Sequence, residues 1–477
     1  MEHKDDPDHP PNSTNVRKWA THLLWLLIGM CGIIIYYPSL FYGFLRYDDR
    51  LYITLNEHVL SGMTAKSFIW AITTSKFFFH PLTWFSLQID ATMYGTSGYG
   101  FHITNLCLHF ATTVLANRVA RSVFYLSHSS ALFVALLYLI HPINVESTVW
   151  ISERKGLLAT TFLFASLIIY SRAGLERAIL ASRKGYFISI ATLAAGMLSK
   201  PSIVFAPLLM FAISFHARTF TPQPASIQQL IKRLLPFFAT TVFLGGVNVS
   251  AANSSGGLNW AQPLPIDQYF VRSFEIASKY IEIFFTLTPP APFTQEIHAS
   301  LWAKALLLTW LVAATASALI KSSRSSYKPA LCLAWLILTL LPVLGFFNIG
   351  SQLICARYCR IPMLGIECMI FWQLSAISGR LRVLYPIASA ILITGAAGRA
   401  NREVSYWAND YELFTMASRR NPSSPKVWYN LYYEYTINGS PLMSEYCLRK
   451  YIILDPENQD AKRSLKNLFI NKRSAAD

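Results

Sequence analysis

Eleven apolar stretches, near 20–43, 102–120, 129–146, 156–172, 185–200, 202–217, 234–252, 301–320, 328–347, 360–377 and 383–399, divide most of this chain. A hydrocarbon core takes about 20 apolar residues in a helix. Several stretches are shorter or carry polar residues, so the boundaries are loose by a few positions. Of the 477 residues, 53% are hydrophobic and only 14% charged; soluble domains carry roughly 25% charged residues. The reading is an all-α polytopic membrane protein of about eleven spans. The first apolar stretch is long enough to remain as a signal anchor, and residues 1–18 ahead of it are polar and expected to be cytoplasmic and without fixed structure.

The formal charge of +16 could suggest a nucleic-acid partner. No basic block with interleaved aromatics supports that, so no nucleic acid is expected. Excess Lys and Arg in a membrane protein gather in cytoplasmic loops. Arg17 and Lys18 precede the first stretch, and Arg118 and Arg121 follow the second. Arg172, Arg177, Arg183 and Lys184 lie between the fourth and fifth, and Arg218, Lys232 and Arg233 between the sixth and seventh. Lys321, Arg324 and Lys328, then Arg380 and Arg382, complete the series. All six sets fall on one side if the N-terminus is cytoplasmic. The C-terminus and the loops 44–101 and 253–300 then lie outside.

Loop 44–101 is rich in Trp, Phe and Tyr, and its segments 64–74 and 81–93 read as short amphipathic helices in the interface. Loop 253–300 opens on a flexible run, Asn253 to Gly257, and carries an apolar segment, 269–288, read as interfacial or re-entrant. Beyond residue 400 the chain turns charged and amphipathic, so 401–477 forms a separate water-soluble domain after a membrane domain spanning 19–400. Residues 425–458 fit one 34-residue tetratricopeptide unit, with Trp428, Leu431 and Tyr432 on a first helix, Gly439 at the turn, and Tyr446 and Leu448 on a second. Residues 406–421 read as a preceding half-unit and 459–470 as a cap. One unit cannot bury its own apolar face, so the tail must dock on itself or on the membrane domain. The seven cysteines read as packing residues.

The candidate chemistry sits at the outer ends of the stretches. Asp48 and Asp49 follow the first one directly. Adjacent carboxylates raise one another's pKa and can accept a proton, or can ligate a hard cation such as Mg or Mn through oxygen; alternatively they are loop acids that end a helix. Arg154, Lys155, Lys200 and Arg357 are cations at helix ends, where the bland alternative is a head snorkelling to water. His80, His102, His109, His141 and Glu146 form a second tier. Their spacing suits no zinc site, and His109 reads as an interhelical hydrogen bonder. Glu146 could pair Arg154 or accept from a sugar, Glu153 could pair a neighbouring cation, and Asp90 reads as structural.

The motifs Tyr47-Asp48-Asp49, His80-Pro81-Leu82-Thr83-Trp84, Gly100 to Leu106, His141 to Ser147, Glu153-Arg154-Lys155, Ser199-Lys200-Pro201 and Ala356-Arg357-Tyr358 stand in a fixed order before the helical tail. This order resembles the membrane O-mannosyltransferases with tetratricopeptide repeats and their bacterial relatives, within the GT-C glycosyltransferases. The family usually has an acid where Ala356 stands, and its repeat array is longer. The resemblance implies a GT-C-like bundle that takes sugar from a polyprenyl-phosphate carrier at the outer membrane face. It implies a catalytic role for the acidic pair, with Asp49 placed ahead of Asp48 as the base. Arg154, Lys155, Lys200 and Arg357 would hold the donor phosphate, and His80, His102, His141 and Glu146 the substrate. No cofactor is required, although a divalent metal can sit at Asp48 and Asp49. The chain length suggests a bacterial inner membrane; the first expected acceptor is an exported protein such as a pilin, with a surface glycan or lipid second. A transporter or flippase, with charges at the membrane midplane, and a non-catalytic scaffold are the rival classes.

Overall fold

The computed structural model describes residues 13–74, 79–175, 183–218, 225–254, 265–320, 328–344, 352–376 and 383–474, and these contain helices and no strand. Arg177, Lys321, Arg324, Arg380, Arg382 and most of the run ending at Gly257 lie outside the described residues. Helix α1 (Ser13–Tyr36) passes into a 3-10 turn over Tyr37–Phe41 that begins around Pro38. Three short helices follow in the aromatic loop: α2 (Glu57–Leu60), α3 (Ala65–Thr73) and α4 (Pro81–Tyr94). Thr64 starts α3 by a reciprocal cap with Ser67, and Pro81 occupies the first turn of α4, where a missing N–H costs nothing.

The bundle comprises α5 (Gly98–Ser122), α6 (His128–Ile140), α7 (Ile143–Val149), α8 (Arg154–Leu175), α9 (Arg183–Met197), α10 (Ala206–Arg218) and α11 (Ile227–Ser254). It continues with α12 (Ile266–Thr286), α13 (Leu301–Ile320), α14 (Lys328–Leu340), the single turn α15 (Ala356–Cys359), α16 (Pro362–Ala376) and α17 (Leu384–Ser405). Each apolar stretch of the sequence coincides with a helix. The stretch at 129–146 is broken, because Pro142 interrupts it and α6 and α7 meet at a 60° bend. Among the described residues, three helical segments are long and apolar enough to cross a membrane: Trp19–Phe41, Pro201–Arg218 and Ile227–Ser254. The bent pair makes a fourth. The larger count of eleven rests on the sequence. Helix α11 leaves Val242 and Phe243 about 70% exposed, as a helix facing lipid does.

Segment 269–288 is the continuous helix α12, which buries Tyr280, Ile281 and Phe284 and carries Glu275 and Glu282 in ion pairs with Lys304 and Lys279. The tail forms α18 (Asp410–Arg420), α19 (Pro425–Ile437), α20 (Pro441–Leu454) and α21 (Gln459–Ser474). Gly439 takes φ +68° between α19 and α20, a conformation that favours glycine. The tail docks on the bundle: Trp407, Leu413, Phe414 and Ala417 are buried in the same apolar core as α5, α6 and α8. Arg420 bonds Glu403 and the Pro289 carbonyl, and Asn421 donates to the Phe293 carbonyl. Docking thus solves the burial problem of a lone repeat. All seven cysteines are free, with Cys31 and Cys107 exposed and the other five buried.

Candidate active site

The acidic segment is fixed by contacts on both sides. Asp49 is buried, and its two oxygens are fully engaged. Oδ2 accepts the Leu45 N–H at 3.0 Å, and Oδ1 accepts the Ser152 N–H at 2.9 Å together with the Ser152 hydroxyl. Burial pushes the Asp49 carboxyl up to about 6, against the lowering effect of those bonds. Tyr47 lies against Trp150 with ring centroids 4.7 Å apart, edges onto Phe293, and receives a hydrogen bond from Gln352. Between these anchored neighbours stands Asp48, half-buried, whose carboxylate makes no hydrogen bond or ion pair to the described residues. The sequence placed Asp49 ahead of Asp48 as a base; in the structure Asp49 already accepts three hydrogen bonds, whereas the Asp48 carboxylate accepts none from the described residues.

Three cations gather around two buried carboxylates nearby. Glu153 pairs Lys200 and reaches Lys155 at 4.0 Å. Glu146 accepts Arg357 Nη1 at 2.5 Å and the Arg357 N–H at 3.2 Å. Glu146 thus supplies from α7 the acid that Ala356 does not, and it pairs Arg357 rather than Arg154. The Lys155 ammonium sits 4.2 Å from the Tyr52 ring centroid and 5.5 Å from that of Trp150, over which the Arg357 guanidinium also lies at 5.5 Å. Gln352 joins this group to Tyr47, accepting Arg357 Nη2 at 3.4 Å. Tyr52 joins it to the acidic segment: burial raises its phenol, and Asp48 and Glu153 raise it further. Burial would raise Glu153, but Lys200, Lys155 and Arg357 hold it below the usual carboxylate value. Burial lowers Lys200, with Glu153 opposing. Gly156 leaves room for the Glu153 carboxylate, which a Cβ at that position would displace. The three cations keep partly exposed side chains, between 11% and 16%.

Arg154 is a correction. Its side chain is wholly buried and every nitrogen is used. Nε donates to Asn105 at 2.7 Å, Nη2 to the Phe101 carbonyl at 2.6 Å, and Nη1 to Asp90 and Ser86. It ties α4, α5 and α8 together, and its complete burial with every nitrogen already bonded closes it off from a phosphate. The histidines divide. His80 is buried at the start of α4, and burial with Lys155 and Lys200 nearby holds it neutral. Its motif lies against the Lys200 turn: Leu82 N–H and the Thr83 hydroxyl donate to the Leu198 and Ser199 carbonyls. His102 packs edge-on to Tyr42. His141 is structural rather than substrate-binding: Nε2 bonds the Phe284 carbonyl, Nδ1 accepts the Ile143 N–H, and the ring stacks on Phe284. His109 bridges the Leu139 carbonyl and Arg360. No three His, Cys, Asp or Glu side chains gather to hold a metal among the described residues. The sequence reading missed Tyr47, Tyr52, Trp150 and Gln352 as walls of this site; the aromatic density of the loop was the signal for the first two.

No protein-family model matches the chain. It is 21% identical over 449 residues to "Protein O-mannosyl-transferase TMTC3" of Mus musculus and 20% identical to the Homo sapiens protein of that name, covering 83% of this chain and 47% of each relative. "Protein O-mannosyl-transferase TMTC4" of Homo sapiens is 27% identical over 193 residues, 35% of this chain and 25% of that protein. The chain therefore spans about half the length of the curated relatives it matches at greatest extent. A crystal structure of the Archaeoglobus fulgidus oligosaccharyltransferase aligns over 88% of this chain and 59% of that one, with a TM-score of 0.46 and 14% identity. In sequence the chain is thus similar, over most of its length, to the membrane protein O-mannosyl-transferases, the resemblance that the order of its motifs implies.

Proposed function

We propose that this protein is a membrane glycosyltransferase that moves a sugar, mannose by analogy with its relatives, from a polyprenyl-phosphate carrier to a hydroxyl of an acceptor protein. The observation that carries this reading is Asp48, whose carboxylate has no partner among the described residues and which is flanked by Tyr47, linked through Gln352 to Arg357, and acts on Tyr52, over which Lys155 lies. Lys155, Lys200 and Arg357 share two carboxylates, so that cluster, counted without Asp48, holds one positive charge in excess, and a sugar phosphodiester carries one negative charge. Asp48 takes the proton of the acceptor hydroxyl as its oxygen attacks the anomeric carbon. The bond from that carbon to the phosphate oxygen breaks, its electron pair stays on the phosphate, and Lys155, Lys200 and Arg357 stabilise the charge that builds there. A metal bridging both aspartates does not fit, since Asp49 already accepts three hydrogen bonds; the reaction is proposed to need none.

An apolar groove of about 660 Å³ between α3 and α11, lined by Phe79, Val242, Phe243 and Val247, opens one residue from His80 and suits the carrier's hydrocarbon. The remaining assignments are part of the same proposal: about eleven spans, a GT-C-like membrane domain over 19–400, a helical tail on the outer face, and a bacterial inner membrane with its active site facing the periplasm. The test reconstitutes the protein in lipid nanodiscs with polyprenyl-phosphate [³H]mannose and membrane-protein acceptors. Label is expected on protein with the wild type and not with Asp48→Asn. Absence of donor consumption by the wild type, or full transfer by the variant, overturns the reading.

A further inference from the structure

The C-terminal helices contact the segment that carries Asp48 at three points. The Arg46 backbone N–H donates to both oxygens of Asp410, at 3.0 and 3.1 Å. The Arg46 side chain pairs Glu434 at 3.0 Å and lies over the Tyr433 ring at 4.8 Å. Phe414 edges onto Tyr47, the next residue, with centroids 6.5 Å apart. A fourth contact reaches the cations: Trp407 stacks at 5.9 Å on Trp150, the ring beneath Lys155 and Arg357.

We infer that the tail is a built-in clamp for the reaction centre, with Asp410 a positioning residue that sets Asp48 through the Arg46 amide; this rests on the glycosyltransferase reading. Asp49 and Ser152 tie the far side of Asp48 to the bundle, and Asp410 ties the near side to the tail. The contact is charge-assisted and engages both carboxylate oxygens, and on the Arg46 side it grips the backbone itself. Asp410 is largely buried at the first turn of α18, where the helix N-terminus adds to the pull on its charge. Positioning matters here because a displacement of about 1 Å at a reacting group can cost on the order of 10²-fold in rate.

The experiment follows hydrolysis of polyprenyl-phosphate [³H]mannose to free mannose by the full chain in nanodiscs. Water replaces the acceptor, so capture of an acceptor plays no part. Hydrogen exchange of amides 45–54 is measured on the same samples. Asp410→Ala is expected to speed exchange in that segment and to lower kcat by about 10–100-fold, with donor KM within about twofold of wild type. Asp410→Asn keeps an acceptor for the Arg46 amide and is expected to recover most of both signals. Unchanged exchange in Asp410→Ala overturns the clamp, as does faster exchange with unchanged kcat. Failure of Asp410→Asn to recover either signal also overturns it. A wild type that neither hydrolyses the donor nor transfers it to added acceptor defeats the function reading alone, and exchange in the two variants still decides whether Asp410 holds the segment.

Discussion

Arg154 and Lys155 are consecutive residues at one helix end, yet they stand in opposite kinds of site. Around Arg154 the partners are many: a carboxylate, an amide oxygen, a hydroxyl and a carbonyl leave the guanidinium wholly buried with every nitrogen bonded. Around Lys155 the partners run short, since Glu153 serves two ammonium groups and Glu146 serves Arg357. A buried charge needs a full set of bonds to be tolerated. A cation left underpaired at a partly exposed rim has bonding capacity for something that arrives later. The same contrast separates Asp49 from its neighbour Asp48. Completeness of the partner set, more than charge or motif, distinguishes the framework from the reaction centre.

The sharpest break in this comparison is between the two aspartates. Asp48→Asn keeps size and removes basicity, so turnover should fall by roughly 10²–10⁴-fold while donor binding stays within a few-fold; single-turnover transfer and donor binding measure the two separately. A normal rate in this variant would place the base elsewhere.

Next comes the framework side. Arg154→Met leaves Asp90 buried without its partner, and breaking such a pair costs about 3–5 kcal/mol. The expected result is a large fall in the thermal midpoint in nanodiscs, or loss of the folded protein. A stable Arg154→Met variant with weakened donor binding would restore Arg154 to the phosphate site.

Arg357→Ala should show the reverse pattern. Removing one group that stabilises developing charge typically costs on the order of 10²-fold in rate, and donor affinity should weaken as well. The thermal midpoint should fall by less than in Arg154→Met, because the Glu146 side chain is about 10% exposed where that of Asp90 is about 3%. A stability loss comparable with that of Arg154→Met, without a kinetic effect, would make Arg357 framework too.

How much of this was legible beforehand differs by range. Helix positions follow from local composition, so all eleven apolar stretches and the paired helices over 425–458 appear where the residues put them. The break at Pro142 was equally local. Partner sets are not local. Arg154 meets Asp90 across 64 positions, Arg357 meets Glu146 across 211, and Arg46 meets Asp410 across 364. Nothing in a single chain reveals which of several acids a given arginine will reach. Asp90 read as structural and Arg154 as functional, although the two are one ion pair. Gly156, directly after the charged triplet, was a usable sign, since a glycine beside charges often marks close approach of another group. In the same way, span lengths set helices but not membrane crossings: among the described residues three helices, or four with the bent pair, pass on length and apolarity.

The smallest effect sharpens the account of Asp49. Burial raises its folded-state value to about 6 from an ordinary 3.8, the three hydrogen bonds notwithstanding. A group whose value is raised on folding binds more protons folded than unfolded across that window, so its contribution is fully present below about pH 4 and is lost as pH rises through about 6. A tenfold change in proton affinity corresponds to about 1.4 kcal/mol, which bounds the loss at about 3 kcal/mol. The Asp49 hydrogen bonds keep the charged form acceptable above that window, and they hold Leu45 and Ser152 in place whichever form is present. Thermal midpoints of wild type and Asp49→Asn at pH 4.5 and pH 7 isolate the effect, because other titrating groups cancel in the difference. The wild type should lose about 1–3 kcal/mol more than the variant on going to pH 7. Equal losses would mean that Asp49 titrates normally, that water reaches it, and that it stands in the same kind of site as Asp48 after all.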